Sequence, residues 1–317
     1  MSDVKTRFAV LRDSTREICI NVCCIKKRKF FAGWYFKMQN KDTVLALIPG
    51  LSMDGRGRSY PFVQVIWNER ACCLDFKEED LMIDRRQQMI MLDNNIFSRR
   101  GIKVNIKTEE LSLQGIVRFG PVTPIRYSIM GPFQIMPFME CKHEIISMSH
   151  RLSGKIRLNG RIVDFGGGLG YIEGDKGKSF PESYLWLQCN DFLENASVMV
   201  SVAKIPWLGI RFEGCICVIM YQGKEYRFAT YLGARVVSKR ETAVIIKQRR
   251  YVLKVFLSNQ KRKDEKRFAH KLLAPNQGAM SRLIKEEHLV RGRFLLYKGE
   301  EIIFDLSSSS VSFEADL

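Results

Sequence analysis

Two carboxylates and a histidine are the residues whose type and spacing can do chemistry in this chain. Glu173 and Asp175 lie two apart, so a strand would put both on one face. Carboxyls held that close can keep one proton between them, which raises one pKa and leaves a usable acid. His143 follows Cys141 in Met139-Glu140-Cys141-Lys142-His143, and His150 comes seven residues later in a chain with four histidines. Such a histidine is an acid, a base or a metal ligand, or a polar side chain that anchors a strand. No third ligand stands at metal-site spacing, so no metal is expected. Nothing in the sequence activates the Cys141 thiol as a nucleophile. The acids also have a plainer reading, as loop residues balanced by Lys176 and Lys178.

The carboxylates sit in DFGGGLGYIEGDKGKSFPESYLWLQCN, residues 164–190. Six of the twelve residues from Gly166 to Gly177 are glycine. Glycine admits backbone angles that other residues avoid, so the stretch reads as a shaped site or as a glycine-bulged hairpin. It runs on into Tyr184-Leu185-Trp186-Leu187 and then Gln188, Cys189 and Asn190. A second aromatic block, Gly33-Trp34-Tyr35-Phe36-Lys37, would set Trp34 and Phe36 on one strand face and Tyr35 on the other. That arrangement suits the wall of an apolar ligand site or ordinary core packing. Gly166-Gly167-Gly168-Leu169-Gly170 is not GxGxxG, and neither GxSxG nor HExxH occurs, so no cofactor is expected.

The elements around these residues are short and rich in β-branched and aromatic side chains. Pro61–Asn68 alternates with period two, and turns break the chain every few residues, which indicates an all-β protein. Ile18–Ile25 is a candidate strand in an N-terminal arm over 1–29. Pro121–Pro137 carries four prolines and one glycine and is the candidate boundary between a first β-barrel-like unit, 30–137, and a second, 138–317. Each half has enough strands for a barrel that can hold a ligand. One helix is expected around Gln277–Glu287, where strand alternation is not evident.

The 317 residues are 46% hydrophobic and 27% charged, a globular balance. No apolar run approaches the length of a membrane helix, and Met1–Arg16 lacks the charged-then-apolar pattern of an export signal. Nine cysteines with no CxxC spacing suit a reducing compartment, so a cytoplasmic location is expected. The net charge is +17, and residues 239–271 hold twelve Lys/Arg against three acids. Such a face can rest on anionic membrane or simply be solvated. No RNA-binding or recognition-helix pattern accompanies it, which argues against nucleic acid.

Several of these segments resemble the tocopherol cyclase family, especially its bacterial members. The resemblance rests on Gly33-Trp34-Tyr35-Phe36-Lys37, Ile48-Pro49-Gly50, Phe62-Val63-Gln64-Val65, Asn94-Asn95-Ile96-Phe97-Ser98, and Met139-Glu140-Cys141 with His143. It continues through Asp164-Phe165, Gly170-Tyr171-Ile172-Glu173, Ser179-Phe180-Pro181, Trp186 with Gln188, Cys189 and Asn190, and Tyr226–Tyr231. It implies two lipocalin-like β-barrel units packed together. It also implies acid-promoted cyclisation or isomerisation of a prenylated or otherwise lipophilic aromatic substrate, with no cofactor. In the plant enzymes of the family a prenyl double bond is protonated and a phenol oxygen closes a chromanol ring. The residues it points to are Glu173 or Asp175 as proton donor, with His143 beside them, and Trp34, Tyr35, Tyr171, Trp186, Gln188 and Asn190 against the substrate. Where the family pattern has a lysine and a tryptophan, this chain has Gly174 and Lys176. The alternative is a non-catalytic lipid or isoprenoid carrier that uses the same cavity.

Overall fold

The structure, a computed structural model, describes residues 29–317 except 68–69, 85, 137–138, 208–209 and 259–271. The candidate strand Ile18–Ile25 and the most basic part of 239–271 lie outside the described residues. The rest is almost entirely strand. The first sheet is built from β1 (Phe30–Gln39), β2 (Val44–Met53), β3 (Ser59–Trp67), β4 (Arg70–Asp75), β5 (Leu81–Asp84), β6 (Met89–Leu92), β7 (Asn95–Ser98), β8 (Gly101–Lys107), β9 (Ser112–Phe119), β10 (Cys141–Leu158), β11 (Arg161–Asp164) and β12 (Leu169–Gly177). These form one antiparallel sheet in the order β4-β3-β2-β1-β12-β10-β9-β8-β7-β6-β5, with β11 paired to β10.

The second sheet takes β13 (Tyr184–Cys189), β14 (Ala196–Trp207), β15 (Ile210–Tyr221), β16 (Lys224–Ala229), β17 (Arg235–Arg240), β18 (Ala243–Gln248) and β19 (Tyr251–Ser258). After the hairpin of β20 (Leu272–Asn276) and β21 (Ala279–Ile284), it is completed by β22 (Glu286–Lys298) and β23 (Glu301–Asp316). Its nine strands run β16-β15-β14-β13-β23-β22-β19-β18-β17, and its two ends approach each other because β17 also lies against β15. The protein is therefore all-β: a half-barrel sheet beside a nearly closed barrel, joined in a lipocalin-like pair. Among the described residues helix is limited to single 3-10 turns, and none is long and apolar enough to cross a membrane.

Period-two alternation sets where each core sits. Along β1, Trp34, Phe36 and Met38 point into the first barrel, where Leu45, Val65, Phe97 and Leu113 also pack. Along β13, Leu185, Leu187 and Cys189 point into the second, with Val200, Cys217, Phe228 and Phe294. The opposite faces of the same strands meet each other. Tyr35, Ile145, Met148 and Tyr171 of the first sheet pack on Tyr184, Trp186, Met199 and Val218 of the second. This third cluster is where the two sheets meet, and the candidate residues Tyr35, Tyr171 and Trp186 lie in it.

Two expectations change. The chain passes from the first sheet to the second between Gly177 and Tyr184, rather than at 121–137. The proline-rich segment leaves the first sheet after Phe119 and re-enters it at Cys141, because β10 and β12 must pair with β9 and β1 to extend that sheet. The helix expected at Gln277–Glu287 is instead the turn and second arm of the β20–β21 hairpin, followed by the start of β22. Gln277 and Gly278 both have positive φ (50° and 85°), the geometry of a two-residue hairpin turn. Strand alternation in β21 is hidden from the sequence because its half-buried face carries Arg282 between Met280 and Ile284. That guanidinium donates to the carbonyls of Pro181 and Glu182 and to Asp316.

The segment 121–135 does pack across the inter-sheet cluster, and Arg227 of β16 holds it. Its guanidinium donates to the carbonyls of Tyr127 and Ser128 and pairs with Glu225, and it stacks 3.6 Å from the Tyr127 ring centroid. Tyr231 adds a hydrogen bond to the Ile129 carbonyl and an edge contact with Phe133. Arg227→Ala leaves the buried Glu225 carboxylate without its cation and is expected to cost roughly 2–4 kcal/mol. The check is denaturant unfolding together with faster amide exchange in residues 123–131.

Candidate functional site

Glu173 and Asp175 follow Tyr171 on one face of β12, and β10 on one side sets His143 opposite Asp175 while β1 on the other sets Tyr35 opposite Glu173. The result is a hydrogen-bonded cluster buried between the sheets. The Tyr171 hydroxyl donates to Glu173 Oε2 at 2.5 Å, and Trp186 Nε1 donates to the same oxygen at 3.3 Å across the sheet interface. His143 lies between the two carboxylates: Nδ1 is 3.0 Å from Asp175 Oδ1, and Nε2 is 3.2 Å from Glu173 Oε2, an ion-pair approach rather than a well-aligned hydrogen bond. Cys141 donates its thiol to Asp175 Oδ1 at 3.3 Å.

Burial alone would strip the proton from His143, but the Asp175 and Glu173 carboxylates outweigh it and hold the imidazole well above its ordinary pKa. The two carboxylates therefore favour the imidazolium form of a ring held between them. Burial beside Asp175 drives the Cys141 thiol the other way, up and out of reach of a thiolate role. His143, Glu173 and Asp175 are also the one group among the described residues whose ligand-type atoms, all within 4.8 Å of one another, could hold a metal ion. Glu173 Oε2 already accepts from Tyr171 and Trp186.

This cluster opens on a cavity with an empty volume of about 1390 Å³, part of it continuous with solvent. Its walls are mainly apolar and aromatic, among them Phe31, Phe62, Phe133, Phe180, Trp186 and Met280. Tyr35 stands over the floor, with its ring edge-on to Trp186 at 5.6 Å and to Tyr171 at 6.4 Å. Such a chamber suits a lipophilic ligand with a few fixed polar contacts.

Of the residues read from the sequence, Glu173, Asp175, His143, Tyr35 and Trp186 line this cavity. The other four are placed elsewhere. Trp34 points through the opposite face of β1 into the first core, against Phe36. It rests over Gly174, where an added Cβ would come within 2.8 Å of its ring. That explains the glycine at this position: no side chain fits beneath the indole. Tyr171 is fully buried behind Glu173 and positions it. Gln188 accepts from Lys37 Nζ at 2.9 Å, deep between the sheets, where burial pulls the lysine down to about 8. Asn190 donates to the Gly170 carbonyl at 2.9 Å and ties β13 to β12.

The sequence reading missed a second pair of acids. Glu286 and Glu314 pair directly across β22 and β23 and line the same cavity from the second sheet. The Tyr35 hydroxyl donates to Glu286 Oε1 at 2.6 Å, and the Tyr184 hydroxyl donates to Glu314 Oε1. Burial pushes Glu286 up to about 8, only partly opposed by the Tyr35 hydrogen bond and Lys37, with Glu173 adding to the rise. Burial and then the Asp175 and Glu173 charges drive Glu314 well up too. The available signal was the alternation of Glu286 with His288, and of Ser310, Ser312 and Glu314, each a polar set on one strand face.

Glu286 makes stability depend on pH in a defined direction. The folded chain keeps this proton up to about pH 8, while the unfolded chain loses it near 4.5. Between those values the native state binds more protons, so this group's contribution falls as pH rises. Glu286→Gln removes the effect: relative to wild type it should gain stability from pH 5 to pH 8. Urea midpoints of the two proteins at both pH values provide the comparison.

Comparisons with known proteins agree with this architecture. Residues 94–242 match the family model described as tocopherol cyclase-like. A Zea mays protein, "Tocopherol cyclase, chloroplastic", is 28% identical over 137 residues, and an Oryza sativa subsp. japonica protein, "Probable tocopherol cyclase, chloroplastic", is 29% identical over 136. Those matches take in 41% of this chain and 29% of each plant protein, so the chain aligns with under a third of the length of these curated relatives. Among solved structures, CghA with Sch210972 superposes with a TM-score of 0.56 at 9% identity, covering 91% of this chain and 89% of CghA. A Nitrosomonas europaea protein superposes with a TM-score of 0.51 at 9% identity, covering 94% and 97%. Fold and site thus define a two-sheet, lipocalin-like protein with a buried acid cavity. The segment similar to tocopherol cyclase-like proteins, residues 94–242, contains His143, Glu173 and Asp175.

Proposed function

We propose that this protein is an enzyme that uses buried acids to protonate a carbon–carbon double bond of a lipophilic, prenylated aromatic substrate and so cyclise or isomerise it. The observation that carries the reading is a carboxylate–imidazolium–carboxylate cluster set into the wall of an aromatic cavity. A protonated double bond leaves a carbocation, which aromatic faces and carboxylates stabilise. Glu173, His143 and Asp175 form the acid–base site, and Tyr35 and Trp186 flank the substrate. The tocopherol cyclase-like match over 94–242 supports the same chemistry.

The test is incubation of the protein with geranyl hydroquinone in D2O. The expected product has lost no atoms, has one fewer double bond and one more ring, and carries one deuterium on carbon. The carrier alternative keeps the cavity and gives up the chemistry. Under it the hydroquinone is recovered unchanged, native mass spectrometry finds a retained lipid, and the basic segment 239–271 serves to dock on anionic membrane.

A further inference from the structure

The cavity has two acidic walls, and they come from different sheets. Glu173, Asp175 and His143 belong to the first, and Glu286 and Glu314 to the second. The second wall is as deeply buried as the first: Glu286 is 5% and Glu314 8% exposed, against 5% for Glu173. Each of these three glutamates accepts a tyrosine hydroxyl, from Tyr35, Tyr184 and Tyr171 respectively. The walls differ in their remaining partners. Glu173 faces the His143 imidazolium and the Trp186 indole. Glu286 has no lysine or arginine in contact: Lys37 acts on it from a distance, and its other neighbours are Tyr35, the Glu173 charge, cross-strand Glu314, and His288, whose Nε2 approaches its Oε1 at 3.5 Å and whose Nδ1 faces Ser312. Two buried carboxyls side by side on a sheet oppose each other's ionisation.

We propose that Glu286, supported by its cross-strand neighbour Glu314, is the acid that delivers the proton, while the Glu173–His143–Asp175 wall receives the one released. This rests on the reading of the cavity as a site of acid-promoted cyclisation or isomerisation. In the first step the Glu286 O–H bond breaks and the π pair of the double bond forms a new C–H bond, leaving a cation in the cavity and a carboxylate on Glu286. In the second, an oxygen lone pair of the substrate closes on the cation, and the O–H proton passes to the Glu173 wall. The protons balance over the turnover, and no oxidant or reductant enters. Glu286 is reprotonated from solvent through the open side of the cavity, and the Glu173 wall returns its proton to solvent by the same route, which resets both walls. Its proton affinity near neutrality, about 8, suits a donor that must reload at each cycle.

A lipophilic cation imitates the first step, because a positive charge placed beside neutral Glu286 should expel its proton. The experiment is calorimetric titration of the full-length protein at pH 7 with dodecyldimethylamine, in buffers of different ionisation enthalpy, and with dodecanol as the uncharged control. Wild type and Glu173→Gln are expected to release about one proton per ammonium bound, and none with dodecanol. Glu286→Gln should keep a cooperative urea transition, which certifies its fold, and still bind dodecanol, yet release no proton and bind the ammonium about tenfold more weakly. Tyr35→Phe, which removes the phenol that favours the Glu286 carboxylate, should move the release to higher pH. Proton release that survives in Glu286→Gln, or is missing in wild type while both probes bind, overturns the assignment and leaves the lipophilic cavity standing. Failure of both probes to bind wild type overturns the cavity reading and the assignment with it.

Discussion

Replacing Glu173 with alanine should lower the unfolding free energy by about 3–5 kcal/mol, because it breaks a buried ion pair and strands two donors at once. Tyr171 and Trp186 donate to Glu173 Oε2, His143 Nε2 approaches it at ion-pair range, and all three are deeply buried. Glu173→Gln separates structure from chemistry. It keeps an oxygen for Tyr171 and Trp186, so most of the stability should return. The charge that balances His143 is gone, however, and the imidazolium pKa must fall. Turnover of a prenylated hydroquinone should then drop by roughly 10²–10⁴, the span associated with a lost general acid or base. Urea unfolding measures the first effect and product formation the second. A Glu173→Gln protein with wild-type turnover would remove this carboxylate from the acid–base role.

Gly154→Ala is the second large effect, and it acts far from the cavity. Gly154 lies in β10 with φ +135°, a backbone angle that side-chain-bearing residues rarely adopt. A Cβ built there would come within 2.2 Å of the Ile116 carbonyl oxygen and 3.0 Å of Val117 Cα. Both obstacles are backbone of β9, which cannot rotate away. Strain and collision together should cost roughly 3 kcal/mol or more. β10 is an 18-residue strand that pairs β12 through one half and β9 and β11 through the other. Distortion at Gly154 therefore travels along the same strand that positions His143. The expected observation is a lowered melting temperature together with a lowered His143 pKa in histidine NMR titration, whereas a purely local cost would leave that pKa alone.

The all-β architecture was legible because it is local. Period-two alternation in Pro61–Asn68 and the aromatic run at 30–37 report on single strands, and β3 (Ser59–Trp67) and β1 (Phe30–Gln39) run there. The shared face of Glu173 and Asp175 was legible for the same reason. What failed depended on partners distant in sequence. Trp34 and Tyr35 look equally fit to wall a pocket, and only the pairing of β1 between β2 and β12 decides that one faces the first core and the other the cavity. Glu286 and Glu314 escaped notice because their significance lies in mutual register across β22 and β23. The first lay in a segment read as helix, and the second near the end of the long strand β23. The proline-rich 121–137 segment looked like a divide because proline marks a break in local structure, and whether a break is also a domain boundary depends on where β10 pairs next.

That the cavity is walled by both sheets has a thermodynamic consequence. Whatever fills it touches Glu173 and Tyr35 on one side and Trp186 and Glu314 on the other, so a bound molecule acts as mortar between two slabs. Its free energy of binding is added to the free energy that holds the sheets together, by RT ln(1 + [L]/Kd). At a hundredfold excess over Kd this is about 2.7 kcal/mol, enough to raise the melting temperature of the whole chain by several degrees. A library of prenylated phenols and quinols ranked by thermal shift would therefore be ranked by affinity, and the natural substrate could be sought with a thermometer before any reaction is assayed.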